Sequence, residues 1–246
     1  VAKNQYYAFA IPFGLFFILL YFFALDKLIW LIVFFTPLAI ILKDNDFGIG
    51  VSLPTEPLMA GVLLLFIIKI FFDWSFDKRF LKHPITIALA LSLTWTLFTT
   101  FTSELPIVSL KYFVSQLWFV VPFYFIFSKL IKGNSDIRKF AWLYIIPLII
   151  VIIYTTIHHS MWGFETKAGH WVMSPFYNDH TAYGMILAFY FPIGLALIFT
   201  DKYSKSLKMY AIFATIVILF ALYLSYSRAA WLSVIGGIGV FVLIYY

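Results

Sequence analysis

Cysteine is absent from the 246 residues. That excludes disulfides, thiolate metal sites and cysteine nucleophiles. Charge is scarce as well: 11% of residues are Asp, Glu, Lys or Arg, where a soluble domain carries about a quarter. With 63% hydrophobic residues and a mean hydropathy of +0.98, the chain reads as an integral membrane protein. Period-2 alternation is missing, which argues against a β-barrel, and no internal repeat is visible. No cleavable leader is expected in the residues given, because the first apolar stretch lacks a small-residue cleavage site and another follows at once. The net charge of +6 is scattered through short connections, so it carries topology rather than a nucleic-acid surface. A chain that opens on Val1 and stops within the apolar "VFVLIYY" reads as part of a longer protein.

What is present is a series of apolar runs. A helix crosses the hydrocarbon with about 20 residues, in a range of roughly 17 to 25. Nine runs qualify, at about 5–25, 28–42, 57–72, 85–102, 112–131, 139–157, 181–200, 209–226 and 229–246. Only helices or closed barrels satisfy their backbone in lipid. The expected fold is therefore an all-α, polytopic bundle forming one transmembrane domain over 1–246.

Basic residues orient it. The connection 69–84 carries Lys69, Lys78, Arg79 and Lys82; 129–139 carries Lys129, Lys132, Arg138 and Lys139; 201–208 carries Lys202, Lys205 and Lys208. The alternate connections hold only Lys111, Lys167 and Arg228. The rich connections are expected in the cytoplasm and the poor ones on the far side. Parity then puts the N-terminus outside, unless 5–42 is something other than two full spans or a leading helix precedes it.

Polar residues gather on that outer face. Four of the five histidines, His158, His159, His170 and His180, fall in the loop 158–180, with Glu165, Lys167 and Asp179. Their spacing matches no compact metal-ligand set, so no metal is expected. In "SPFYNDHTAYG", Asn178, Asp179 or Thr181 is a candidate N-cap. His180 in the first turn, kept neutral by the helix dipole, is a candidate acid–base group with Asp179 to orient it. Asn178, His170, Trp171 and Tyr177 are candidate contacts for a sugar, and Trp162 and Phe176 offer further rings.

Arg228 sits in "LSYSRAAWLSVIGG", where two apolar stretches meet and Ser225 or Ser227 can cap the second helix. A cation in a helix's first turn opposes the dipole. It is explained either by snorkelling to lipid headgroups or by an anion bound jointly by guanidinium and amides. Lys111, after "SELPIVSL", admits the same two readings.

"NDHTAYG" (178–184) followed by "YSRAAWLSV" (226–234) resembles the bacterial O-antigen ligase and O-antigen polymerase superfamily. The family's usual S-R-G-A-W-L stands here as Ser227-Arg228-Ala229-Ala230-Trp231-Leu232, with alanine in place of glycine. "SLPTEPLMAGVLLLFIIKI" and "SELPIVSLKYFVSQLWFVVPFYF" also look like that family, so the likeness runs from about residue 50.

The resemblance implies a multi-pass glycosyltransferase of the bacterial inner membrane, working on the periplasmic face without nucleotide sugar, cofactor or obligate metal. Its partners would be a polyprenyl-diphosphate-linked glycan donor, a lipid A–core or growing-polysaccharide acceptor, and membrane lipids; no nucleic acid is involved. The S-R arginine, here Arg228, would hold the donor diphosphate. The family's second arginine and its proposed histidine base would lie beyond Tyr246, in a large later periplasmic loop before the final helices. Two other classes stay open. A transporter of a small anion or glycolipid should show paired halves and polar groups at the membrane midplane. A scaffold should tolerate loss of Arg228 and His180.

Overall fold

Lipid offers backbone groups no partners, so apolar segments must close their hydrogen bonds internally. The computed structural model, which describes residues 20–21, 23–43, 50–72, 81–200 and 203–245, is accordingly built mainly of helices. They are α1 (Leu25–Phe35), α2 (Thr55–Phe72), α3 (Pro84–Phe101), α4 (Pro106–Leu130), α5 (Asn134–Ser160), α6 (His180–Ile198), α7 (Lys205–Leu224) and α8 (Arg228–Tyr245). Five of these, α3 to α7, are long and apolar enough to cross a membrane. Helices α2 and α8 are apolar and eighteen residues long.

The nine expected spans are thus not all realised. The run 5–25 lies mostly outside the described residues, as do Lys78, Arg79 and Lys202. The run 28–42 is not a span. Its helix α1 has eleven residues, about 16 Å at 1.5 Å per residue, and Pro37 disfavours the helical conformation at the residue before it. The chain then turns into strand β1 (Ile40–Lys43), paired antiparallel with β2 (Gly50–Leu53) in the register Ile40↔Leu53 and Ile41↔Ser52. The fold is mainly helical rather than strictly all-α.

The contacts divide the chain into two compact units. One draws on residues 1–32 and 54–132, the other on 33–44, 50–53 and 133–246, each as far as it is described.

In the first unit, α4 packs on α2 and α3. Thr86 and Tyr124 share a 2.6 Å hydrogen bond between hydroxyls. Pro122 has no N–H to donate and its ring crowds the carbonyl four residues back. The helix responds with a π turn over Val121–Ile126, the local widening that absorbs such a misfit.

In the second unit, α6 packs on α7 and α8, and α7 on α5. Its core repeats at three- and four-residue steps along α5, through Ala141, Tyr144, Ile145, Leu148, Val151, Ile152 and Thr155, the stripe a buried helix face requires. Small residues let backbones approach, as membrane helices need without a water-driven force. Ala211, Ala214 and Ala221 do so on α7. Gly184 does so on α6: a Cβ added there would lie 2.8 Å from Ser227 Cβ and 3.1 Å from Ala230 Cβ.

The two ends of this unit differ. At one end Trp142 Nε1 donates to Tyr203 Oη over 3.0 Å, and the Arg138 guanidinium stands over the Tyr203 ring. That end also carries Lys205 and Lys208 at the start of α7. The opposite end carries residues 161–179 and the α7–α8 turn.

Candidate functional site at one end of the second unit

Helix α5 runs three residues further than its apolar run, to Ser160. His158 and His159 are therefore on its last turn rather than in the loop. His159 is buried at 1% exposure, and its Nε2 lies 3.0 Å from the Glu165 carbonyl. His158 Nδ1 lies 3.0 Å from the Val172 carbonyl. A carbonyl only accepts, so each of these nitrogens carries the proton. Both histidines fasten the loop, and His159 is enclosed in doing so.

The remaining loop, 161–179, is a succession of turns around a short 3-10 segment, Ala168–His170. The β-hairpin joins it, with Ile41 N donating to the Pro175 carbonyl over 3.0 Å. Trp162 and Trp171 meet edge to face at 5.1 Å, and Trp171 meets His158 at 5.4 Å. Both tryptophans keep about half of their surface exposed. Tyr177 behaves differently. Its hydroxyl is buried without completing a hydrogen bond, burial pushes its phenol well above the ordinary value, and Tyr144 is the nearest hydroxyl neighbour. Of the aromatic residues expected to touch a sugar, Trp171 has a ring available and Tyr177 turns its polar end inward.

The structure brings His170 and His180 together, ten residues apart in sequence, with ring centroids 4.0 Å apart. Among the described residues, no three His, Asp or Glu side chains converge as metal ligands would. Asp179 is the N-cap of α6: its Oδ1 accepts from the Thr181 and Ala182 amides, each at 2.8 Å. Those amides, that of Ala182 foremost, with the His180 ring adding to them, hold its carboxyl below the usual carboxylate range. Asn178, beside it, is exposed.

The α7–α8 turn occupies residues 225–227, between Leu224 and Arg228. Ser225 and Ser227 are buried, at 1% and 4% exposure. Of the two candidate caps, Ser227 fills the role, since Ala230 N donates to its Oγ at 3.4 Å. Ser225 Oγ donates to the Leu222 carbonyl and closes α7. Arg228 is then the first residue of α8 and is exposed.

The starts of α6 and α8 lie at the same end of the unit but differ in charge. The α6 start carries the Asp179 carboxylate. The α8 start has a neutral serine cap and no acidic residue in its first turn, so its positive dipole end is joined by a guanidinium. Between the two helices runs a groove of about 540 Å³, walled by Met185, Phe189 and Pro192 on one side and Ala230 and Ser233 on the other. Thr181, Ser227 and Ala229, the last two flanking Arg228, also line it. Lys111, the other expected phosphate contact, belongs to the first unit, where it is half-buried on the second turn of α4.

Sequence reasoning passed over Tyr226. It has a positive φ of 51°, and its hydroxyl donates to the Phe164 carbonyl over 3.0 Å. Phe164 itself has a φ of 57°. No single-residue pattern marks such a pair.

No protein-family model, curated protein or solved structure matches this chain.

Proposed function

We propose that the protein is a membrane glycosyltransferase of the O-antigen ligase and polymerase kind, which moves a glycan from a polyprenyl-diphosphate carrier to an acceptor hydroxyl. One observation carries this reading: an exposed arginine at the start of α8, with no carboxylate in its helix's first turn, whose two chain neighbours line an apolar groove. A cation next in the chain to an apolar trough suits an amphiphile with an anionic head and a long hydrocarbon tail. A guanidinium also matches a diphosphate bidentately, which an ammonium does not.

In the transfer, the acceptor oxygen attacks the anomeric carbon and the bond from that carbon to the diphosphate oxygen breaks. The electron pair leaves with the diphosphate, whose charge Arg228 and the α8 amides stabilise. A base takes the acceptor proton. His180, with His170 against its ring, is the described residue assigned to that role, and Asp179 fixes the turn that holds it. Asn178 and Trp171 are assigned to sugar contact. The basic residues at the opposite end of the second unit, Arg138, Lys139, Lys205 and Lys208, favour a periplasmic site in an inner membrane.

The test is complementation of a strain lacking surface glycan. Arg228→Ala should abolish display and Arg228→Lys should give an intermediate level, since lysine keeps the charge but loses the fork. Full display with alanine would remove the reading. A transporter would be favoured instead if Arg228→Ala abolished uptake of a labelled glycolipid into vesicles while transfer activity persisted.

A further inference from the structure

We infer that Tyr226 is a positioning residue for Arg228: it clasps the loop 161–179 and so fixes the turn from which α8 starts. The inference rests on the proposed role of Arg228, two residues on.

Three contacts of Tyr226 define the clasp. The Tyr226 hydroxyl donates to the Phe164 carbonyl. Its ring lies so close to Gly169 that a Cβ there would come within 2.6 Å of Tyr226 Cδ2 and 2.9 Å of Cε2. The ring also meets His159 edge to face at 6.0 Å, and His159 in turn is tied to the Glu165 carbonyl. All three partners, Phe164, Gly169 and His159, come from the end of α5 and the loop after it, and they form the notch that holds the ring.

The backbone makes the same point. A positive φ suits glycine and strains a residue with a bulky side chain. Glycine at 226 would relax the turn but empty the notch, so the strain is supported by what the ring and hydroxyl hold. Neighbouring Ser225 and Ser227 are buried against Gly184, and their hydroxyls bond only within the turn and the two helices it joins. Tyr226 provides the reach from this turn to the loop, and the direction in which Arg228 leaves the turn follows from it.

The test uses the whole protein in lipid nanodiscs with two readouts. Hydrogen exchange follows the amides of 165–172 and 229–231. Binding follows the preference for farnesyl diphosphate over farnesyl monophosphate. Tyr226→Phe, which keeps the ring and loses one hydrogen bond, should speed exchange in both segments and lower the diphosphate preference about fivefold. Gly169→Ala, which evicts the ring, and Tyr226→Ala should lower it further, while exchange in the middle of α5 stays unchanged.

A merely structural tyrosine would lower melting temperature and leave the preference for diphosphate intact. That result, or unchanged exchange in both segments for Gly169→Ala, would overturn the inference. If exchange loosens as expected but Arg228→Ala keeps the diphosphate preference, the reading of Arg228 fails and the positioning role falls with it, while the clasp itself stands.

Discussion

Gly184 offers a sharp test of the packing that seats the α7–α8 turn. Alanine there adds one methyl group 2.8 Å from Ser227 Cβ, 3.1 Å from Ala230 Cβ and 3.2 Å from Ser225 Oγ. Carbon atoms attract best at about 3.5 to 4.0 Å, so α6 and the turn must separate by several tenths of an ångström. Ser225, Ser227 and Ala230 are all buried and none is the tip of a flexible chain. The misfit therefore falls on the backbone. Overpacking of this kind costs about 1–3 kcal/mol, and the helix-propensity gain of glycine to alanine returns at most about 1. The net expectation is a loss of about 1–2 kcal/mol, or a fall in melting temperature of roughly 2–8 °C for a chain of this size.

Gly236 is the internal control. It lies on α8 with nothing within 4 Å of an added Cβ, so alanine there should be neutral or stabilising. Thermal unfolding of the two variants, measured side by side in one detergent by intrinsic fluorescence, should give shifts of opposite sign or at least clearly unequal size. A Gly184→Ala protein as stable as the parent would refute the close approach of α6 to the turn.

Asp179→Ala removes the side-chain acceptor of two α6 amides and should cost about 0.5–2 kcal/mol, read as a lower melting temperature. Since the folded carboxyl is held below its usual range, its contribution is complete above the ordinary carboxylate pKa and fades as pH falls through the lowered value. The parent and Asp179→Ala melting curves should converge on acidification below about pH 4, and a gap persisting to pH 2 would refute the charge-based part of the cap. Tyr183 and Thr155 have neighbouring buried hydroxyls, neither completing a hydrogen bond, and both line a cavity of about 10 Å³. Tyr183→Phe removes an unsatisfied group and should leave stability unchanged or raise it. A loss above about 1 kcal/mol would show that the hydroxyl is bonded after all.

Much of the helical framework was legible because apolar length is a strong signal. The runs at 139–157, 181–200 and 209–226 fall within or close to α5, α6 and α7. The run 28–42 misled because hydrophobicity alone does not separate a helix from an apolar strand. Pro37 and the β-branched pair Ile40–Ile41 were the local signals that distinguish them. Caps were readable as sets of alternatives, and geometry chose Asp179 and Ser227 among them. The contact of His170 with His180 was not readable, since ten residues of turns fold between them and no sequence period describes such a path. Tyr226 was hidden for a related reason: its importance comes from a left-handed backbone and a glycine 57 positions earlier, which tertiary packing alone brings together.

The groove between α6 and α8 has side walls, Met185 and Phe189, that are each more than half exposed. Its opening therefore lies along the flank of the two helices. Under the proposed function an amphiphile would reach it by diffusing in the plane of the membrane, so occupancy would follow the ligand's mole fraction among lipids and not its total concentration in solution. Diluting the vesicles with buffer should leave occupancy unchanged, whereas enlarging the lipid pool at fixed ligand should reduce it.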